Sequence, residues 1–376
     1  MIYNLCNQCI LIRIRTKKME ELIGSLYAPV FKSLVLILCL IKTLHIYKDE
    51  RQLMWVLTFL LIIAIGNRPL TIHFIDTMGY AYAYNEVYKY LSFKDCLQDK
   101  DYIFSLLMYL FRNAGLSVHV FFTFVASVYI GLTAWTAQRL SKRYAYLIFL
   151  CLIGTFSFYA FSINTIRCGM AAVMVLLAFT FIENKKIVSI ALCWCAVGIH
   201  NSVMLPIVCI VVSYFCKNTK IYLWIWLACI VISNIDHHSV ESFLMNLGWV
   251  EDDRFSQYIL NSDNKEGFSY AGFRWDFLLY SAVPIVVAYY FIVKKNFQDK
   301  LYLLFANTYI LANSFWILVI YASFSDRFAY LSWFLYGIVL VYPFLAYPKL
   351  LQRRKLISLV LLGNALFTWV MWLIGK

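Results

Sequence analysis

Apolar residues in this chain gather into runs of roughly 16–22, separated by short charged stretches, and a helix of that length crosses about 30 Å of hydrocarbon. The pattern predicts about twelve spans, at 28–45, 52–67, 117–138, 144–161, 165–182, 187–200, 202–216, 221–236, 275–293, 300–320, 327–347 and 356–374. Only Asn201 separates 187–200 from 202–216, so these two short runs are candidates for one broken unit. Residues 101–114, DYIFSLLMYLFRNA, are apolar but too short to span, and read as a re-entrant or interfacial helix. The expected fold is all-α: a polytopic integral membrane helical bundle with two long extracytoplasmic loops, about 68–116 and 237–274. Residues 1–27 form an N-terminal tail and 28–376 a single membrane domain, without internal repeats.

Composition removes the soluble alternative. Hydrophobic residues make up 62% of the 376 and charged residues 14%, where a soluble globule carries about a quarter charged. The chain has too little polar surface to cover itself in water. Its 30 Phe, 28 Tyr and 11 Trp fit the aromatic belts that anchor helices at the headgroup level.

Charge then orients the bundle. The loops 42–51, 139–143, 183–186, 217–220, 294–300 and 349–355 hold 17 Lys and Arg against four acids. The stretches 68–101 and 236–276 reverse that balance, with four basic against five acidic and three against eight. The first set is assigned to the cytoplasm, and the net charge of +13 reflects topology and not a nucleic-acid footprint. Arg13, Arg15, Lys17 and Lys18 run against the bias, and Met19 is an alternative start. No small-residue cleavage site follows an apolar core, so no cleavable signal peptide is expected. Cys39, Cys151, Cys193, Cys195, Cys209 and Cys229 fall within spans, where Cys behaves as a small apolar residue. Neither a metal site nor a disulfide is predicted.

The informative residues are ionisable groups at span mouths, where charge is costly and faces a cavity, partner or substrate. On the extracytoplasmic side these are Arg68, Asp76 with Tyr80 and Tyr84, Asn164 and Arg167, His200, Arg254, Arg274 with Asp276, and Asp326 with Arg327. Each has a structural alternative. Arg167 can snorkel to the interface, His200 can be a packing residue, Arg254 and Arg274 can be interfacial anchors, and Asp76 can cap a helix. Asn164 and Arg167, three apart, are expected on one helix face. Together, four arginines on the face that should be poor in them point to an anionic ligand, because guanidinium grips phosphate in a bidentate fork. The tyrosines beside Asp76 offer flat faces suited to sugar rings.

The run FYAFSINTIRCGMAAVMVLLAFTFIENKKIVSIALCWCAVGIHNSVMLPI resembles the centre of the EpsG family, bacterial exopolysaccharide and O-antigen polymerases of Wzy type. The family's Asn-x-x-Arg stretch, basic turn and His-x-Ser find counterparts in Asn164, Arg167, Lys185-Lys186 and His200-Asn201-Ser202. Arg68 and FIDTMGYAYAY, RFSQYI, FRWDFLLYSAVPI and SFSDRFAYLSWFL are also similar to it, over about residues 28–345. The chain departs from the family's Gly-Thr-Asp-Tyr, reading Phe74-Ile75-Asp76-Thr77 with the first Tyr delayed to Tyr80, and Cys168 stands where Gln often follows the Arg.

The resemblance implies an enzyme of the bacterial inner membrane that joins undecaprenyl-diphosphate-linked oligosaccharide repeats on its outer face. It implies a lipid-diphosphate grip by Arg167, Arg254, Arg274 and Arg327 and a base at His200 or Asp76. Positioning of sugars falls to Asn164, Tyr80, Tyr84, Asp276 and Asp326. No cofactor or metal is expected, and the partners are the lipid-linked substrate, the bilayer, and a chain-length regulator and flippase of the same pathway. A transporter or flippase of lipid-linked sugars and a polysaccharide ligase are the alternatives, with a membrane acyltransferase behind them.

Overall fold

A computed structural model describes residues 2–235, 273–322, 325–347 and 354–374, with side chains from Lys18 onward. Among the described residues every regular element is helical. The order is α1 (Ile2–Leu44), α2 (Arg51–Gly66), α3 (Ile75–Tyr82), α4 (Phe93–Leu97), α5 (Tyr102–Asn113), α6 (Val118–Leu140), α7 (Ala145–Ile153), α8 (Phe156–Ile163), α9 (Ile166–Phe179) and α10 (Lys186–Ile199). There follow α11 (Met204–Phe215), α12 (Thr219–Ile235), α13 (Trp275–Ala288), α14 (Lys300–Leu318), α15 (Asp326–Trp333), α16 (Tyr336–Ala346) and α17 (Arg354–Ile374).

Among the described residues six stretches are long and apolar enough to cross a membrane: Lys18–Leu44, Val118–Leu140, Trp275–Lys294, Lys300–Leu318, Asp326–Ala346 and Arg354–Ile374. α7 and α8 pass the same test as a pair bent by 74°, a seventh if they form one span. α2, α9, α10, α11 and α12 occupy positions where spans are expected, but they are shorter. A helix of 14 residues, such as α9, rises about 21 Å, short of roughly 30 Å of hydrocarbon. The chain is therefore a multi-pass membrane protein, and helix length does not establish twelve full crossings.

The first long loop is built rather than open. Between α2 and α6 it contains a 3-10 turn at Ile72–Phe74, then α3, a π-turn at Ala83–Val87, α4 and α5. Ser92 and Asp95 close a capping box on α4, which satisfies backbone N–H groups that a helix start leaves open. Most of the second long loop, with Arg254, lies outside the described residues.

Two compact units share the chain: residues 1–201 with 361–376, and residues 202–360. In the first, α6 is central and packs on α2, α7 and α9. α17 closes back on the bend between α7 and α8, where Asn364 Nδ2 donates to the Cys151 carbonyl at 2.9 Å. In the second, α14 is buried along its length through Tyr302, Phe305, Tyr309 and Trp316. Two buried polar pairs lie inside that unit: Trp226 Nε1 donates to Asn313 Oδ1 at 2.9 Å and Trp333 Nε1 to Ser281 Oγ at 2.7 Å.

Candidate active site

Within the first unit, three segments distant in sequence converge on one carboxylate. Asp101 occupies the N-cap position of α5, yet its side chain makes no cap hydrogen bond. It turns away instead. Asp101 Oδ2 accepts from Arg167 Nη1 at 2.7 Å and meets His200 Nδ1 at 3.1 Å, and Oδ1 accepts from the Asn201 backbone N–H at 3.0 Å.

Local sequence explains the convergence. α9 and α10 pack together, joined by the turn that carries Lys185 and Lys186. Arg167 starts α9 and His200 ends α10, so both lie at the end of the pair away from that basic turn. His200 leaves the helix with extended backbone, φ −155° and ψ 110°, which swings the next N–H toward Asp101. Gly198 permits the approach: a Cβ there would stand 2.5 Å from Ile103 Cδ1 and 2.8 Å from Tyr102 Cζ. Gly169 does the same for α9 against α8, since its Cβ would stand 2.8 Å from the Phe161 carbonyl oxygen.

The second hold on Arg167 is aromatic. Its Nε donates to Tyr80 Oη at 3.2 Å. Its guanidinium carbon lies 5.7 Å from the Tyr80 ring centre and 5.9 Å from that of Phe104, a distance at which the ring faces attract a cation. Asp101, Arg167 and His200 keep side-chain exposures of 10%, 24% and 23%. The arginine and histidine thus remain reachable while the carboxylate is largely covered. Burial pushes the Asp101 carboxyl up, but the His200 hydrogen bond, the His200 and Arg167 charges and the Asn201 N–H together hold it below the usual carboxylate range. An ionised carboxylate only accepts, so the contact places a proton on His200 Nδ1, and Nε2 is the nitrogen left to face a ligand. The arrangement is an oriented imidazole beside a guanidinium.

The family model for EpsG matches residues 51–376, from α2 to the end of the chain. The protein belongs to the EpsG family. No curated protein and no solved structure matches it.

In this EpsG chain the expected site residues fall into separate groups. Arg167 and His200 come together on Asp101, which sequence reasoning did not select, and Tyr80 joins them through Arg167. Asp76 stands half-buried in the first turn of α3. Tyr84 is buried, its hydroxyl donating to the Leu116 carbonyl at 2.9 Å and its ring stacked on Phe121, so it packs here rather than offering a sugar platform. Asn164 does not share a helix face with Arg167. The N–H groups of Asn164 and Thr165 both donate to the Ala160 carbonyl, at 2.8 and 2.9 Å, which closes α8 and leaves the Asn164 amide in the break before α9. Its Oδ1 is buried without a partner.

The second unit holds Arg274, Asp276, Asp326 and Arg327. Arg274 and Asp276 form a two-pronged ion pair at 2.9 and 2.6 Å, with the guanidinium 3.7 Å from the Phe277 ring centre. Asp326 and Arg327 open α15, and Asp326 accepts from Tyr330 Oη at 3.1 Å. Among the described residues no group of three or more His, Cys, Asp and Glu is placed to hold a metal ion.

Proposed function

We propose that this EpsG-family protein is a membrane glycosyltransferase that polymerises undecaprenyl-diphosphate-linked oligosaccharide repeats into surface polysaccharide at the outer face of the inner membrane. The observation that carries the reading is the Arg167–Asp101–His200 cluster in a multi-pass EpsG chain. His200 Nε2 takes the proton from a sugar hydroxyl of the acceptor repeat. The freed oxygen attacks the anomeric carbon at the reducing end of the donor chain. The bond from that carbon to the diphosphate oxygen breaks, and undecaprenyl diphosphate departs with the electron pair. Asp101 fixes the imidazole and balances the proton it gains, the role a third group plays behind a base. Arg167 meets the charge that builds on the leaving diphosphate, where a preorganised donor acts most strongly.

The test uses purified protein in vesicles with lipid-linked repeat units, scored for chain length, donor binding and translocation. Arg167→Lys replaces a planar fork with a point charge and should weaken donor binding by about 10–100-fold, as for a lost charged hydrogen bond. His200→Ala should keep donor binding and lower turnover by about 10²–10⁴-fold. Wild-type chain lengths from both variants would remove the cluster from catalysis. Translocation without elongation by the wild type would replace the polymerase reading with a transporter.

A further inference from the structure

Arg68 takes no part in the chemistry above, yet it is 1% exposed. It follows the last turn of α2. Its Nη1 donates to the Ile65 carbonyl and its Nε to Thr77 Oγ1, both at 2.9 Å, and its guanidinium carbon lies 4.2 Å from the Phe122 ring centre. Its Nη2 is buried without a partner. Among the described residues no carboxylate pairs with it. A buried charge without a counter-charge is costly, and the groups around Arg68 are neutral: two oxygen acceptors, a ring face, and the phenols of Tyr27, Tyr80 and Tyr159 within electrostatic reach.

α3 connects this cation to the candidate active site. Thr77 and Tyr80 are three residues apart and share one face of α3. Thr77 accepts from Arg68 and donates to the Ile163 carbonyl at 2.8 Å, just before the break that leads into Arg167. Tyr80 accepts from Arg167. Neighbouring positions on one helix face therefore hold two guanidinium groups. Asp101 offsets the charge on Arg167, and nothing among the described residues offsets the charge on Arg68.

We propose that Arg68 is the buried second positive charge of the anion site. Held behind Thr77, it supplies the field that favours a lipid with two phosphates over one with a single phosphate or none, while Arg167 makes the direct contact. The field acts through protein rather than water, where attraction is stronger and salt screens it less. The inference rests on the reading that the site takes a lipid diphosphate.

The test is equilibrium binding by the full chain in zwitterionic nanodiscs. The ligands are undecaprenyl diphosphate, undecaprenyl monophosphate, undecaprenol and inorganic pyrophosphate. Wild type should bind them in falling order of phosphate number among the three lipids. Arg68→Gln keeps a donor for Thr77 and loses the charge, so it should cut the preference for diphosphate over undecaprenol on the order of tenfold. Arg68→Lys keeps the charge, and Thr77→Val removes the hydrogen bonds to Arg68 and to the Ile163 carbonyl but not the charge, so both should retain that preference. Equal weakening for all three lipids in Arg68→Gln would mark a purely structural role and overturn the proposal. Loss of the preference in Thr77→Val, or a wild type that ignores phosphate number, would do the same. Pyrophosphate bound as tightly as the lipid diphosphate would assign the site to a free anion and overturn its lipid part. Turnover does not enter the measurement, so a chain with the preference but no polymerisation would sink the polymerase reading and leave Arg68 in place.

Discussion

Asp101 serves three donors with two oxygens, so neutralising it changes three contacts at once. Asp101→Asn should release the imidazole tautomer and the Arg167 pose together and lower polymerisation by about 10²–10⁴-fold, with donor binding weakened as well. The variant also tests the protonation state. The folded-state pKa of this carboxyl is depressed, so its stabilising contribution is complete above the unfolded value of about 3.9. It is lost as pH falls through the folded value. The gap in thermal midpoint between wild type and Asp101→Asn should be full at pH 7 and shrink below about pH 4. A gap that stays constant down to pH 3 would mean the carboxylate contributes no charge-dependent stability. Sequence reading found Arg167 and His200 because each is an isolated polar group in an apolar run. Asp101 is one of five acids in a loop-like stretch, and it lies 66 and 99 residues from its partners. The available signal was its place at the start of an apolar segment too short to span.

At the scale of elements, hydropathy located the helices and the break at Asn201, and missed the bend inside 144–161. Residues 144–161 read as one span because apolar character continues across Gly154 and Thr155, where the chain bends by 74°. The break at Asn164–Thr165 falls at the expected boundary between 144–161 and 165–182, and it is made by one carbonyl accepting two N–H groups. Such backbone is tolerated at membrane depth where protein covers it. Packing at the site depends on how closely α10 approaches α5, which Gly198 sets. Gly198→Ala pushes a methyl group into Ile103 and Tyr102, and should cost about 1–3 kcal/mol as overpacking while separating His200 from Asp101. Gly79 in α3 has nothing within 4 Å of an added Cβ, so Gly79→Ala should leave the thermal midpoint unchanged or slightly higher. Equal midpoints and equal activity in the two variants would show that the α5–α10 approach is not what positions His200.

For the whole molecule the decisive quantity is which side the cluster faces, because a polymerase of exported repeats must work outside. The sequence assigns that side through charge alone: 17 basic residues against four acids in one set of loops, and the reverse in the other. The hairpin of α9 and α10 carries the same information locally, with Lys185 and Lys186 at its turn and Arg167 and His200 at its open end. If lysines hold the turn in the cytoplasm, the cluster opens outward, toward the segment that contains α3, α4 and α5. Lys94 in α4 and Lys142 after α6 are both exposed and belong to opposite loop sets, which makes them a matched pair of reporters. With an impermeant maleimide and the native cysteines as background, Lys94→Cys should label in intact cells made accessible at the outer face. Lys142→Cys should label only after the inner membrane is opened. The opposite result would turn the cluster toward the cytoplasm, where the proposed acceptor and donor are not presented, and the polymerase mechanism would have no substrate on its side of the membrane.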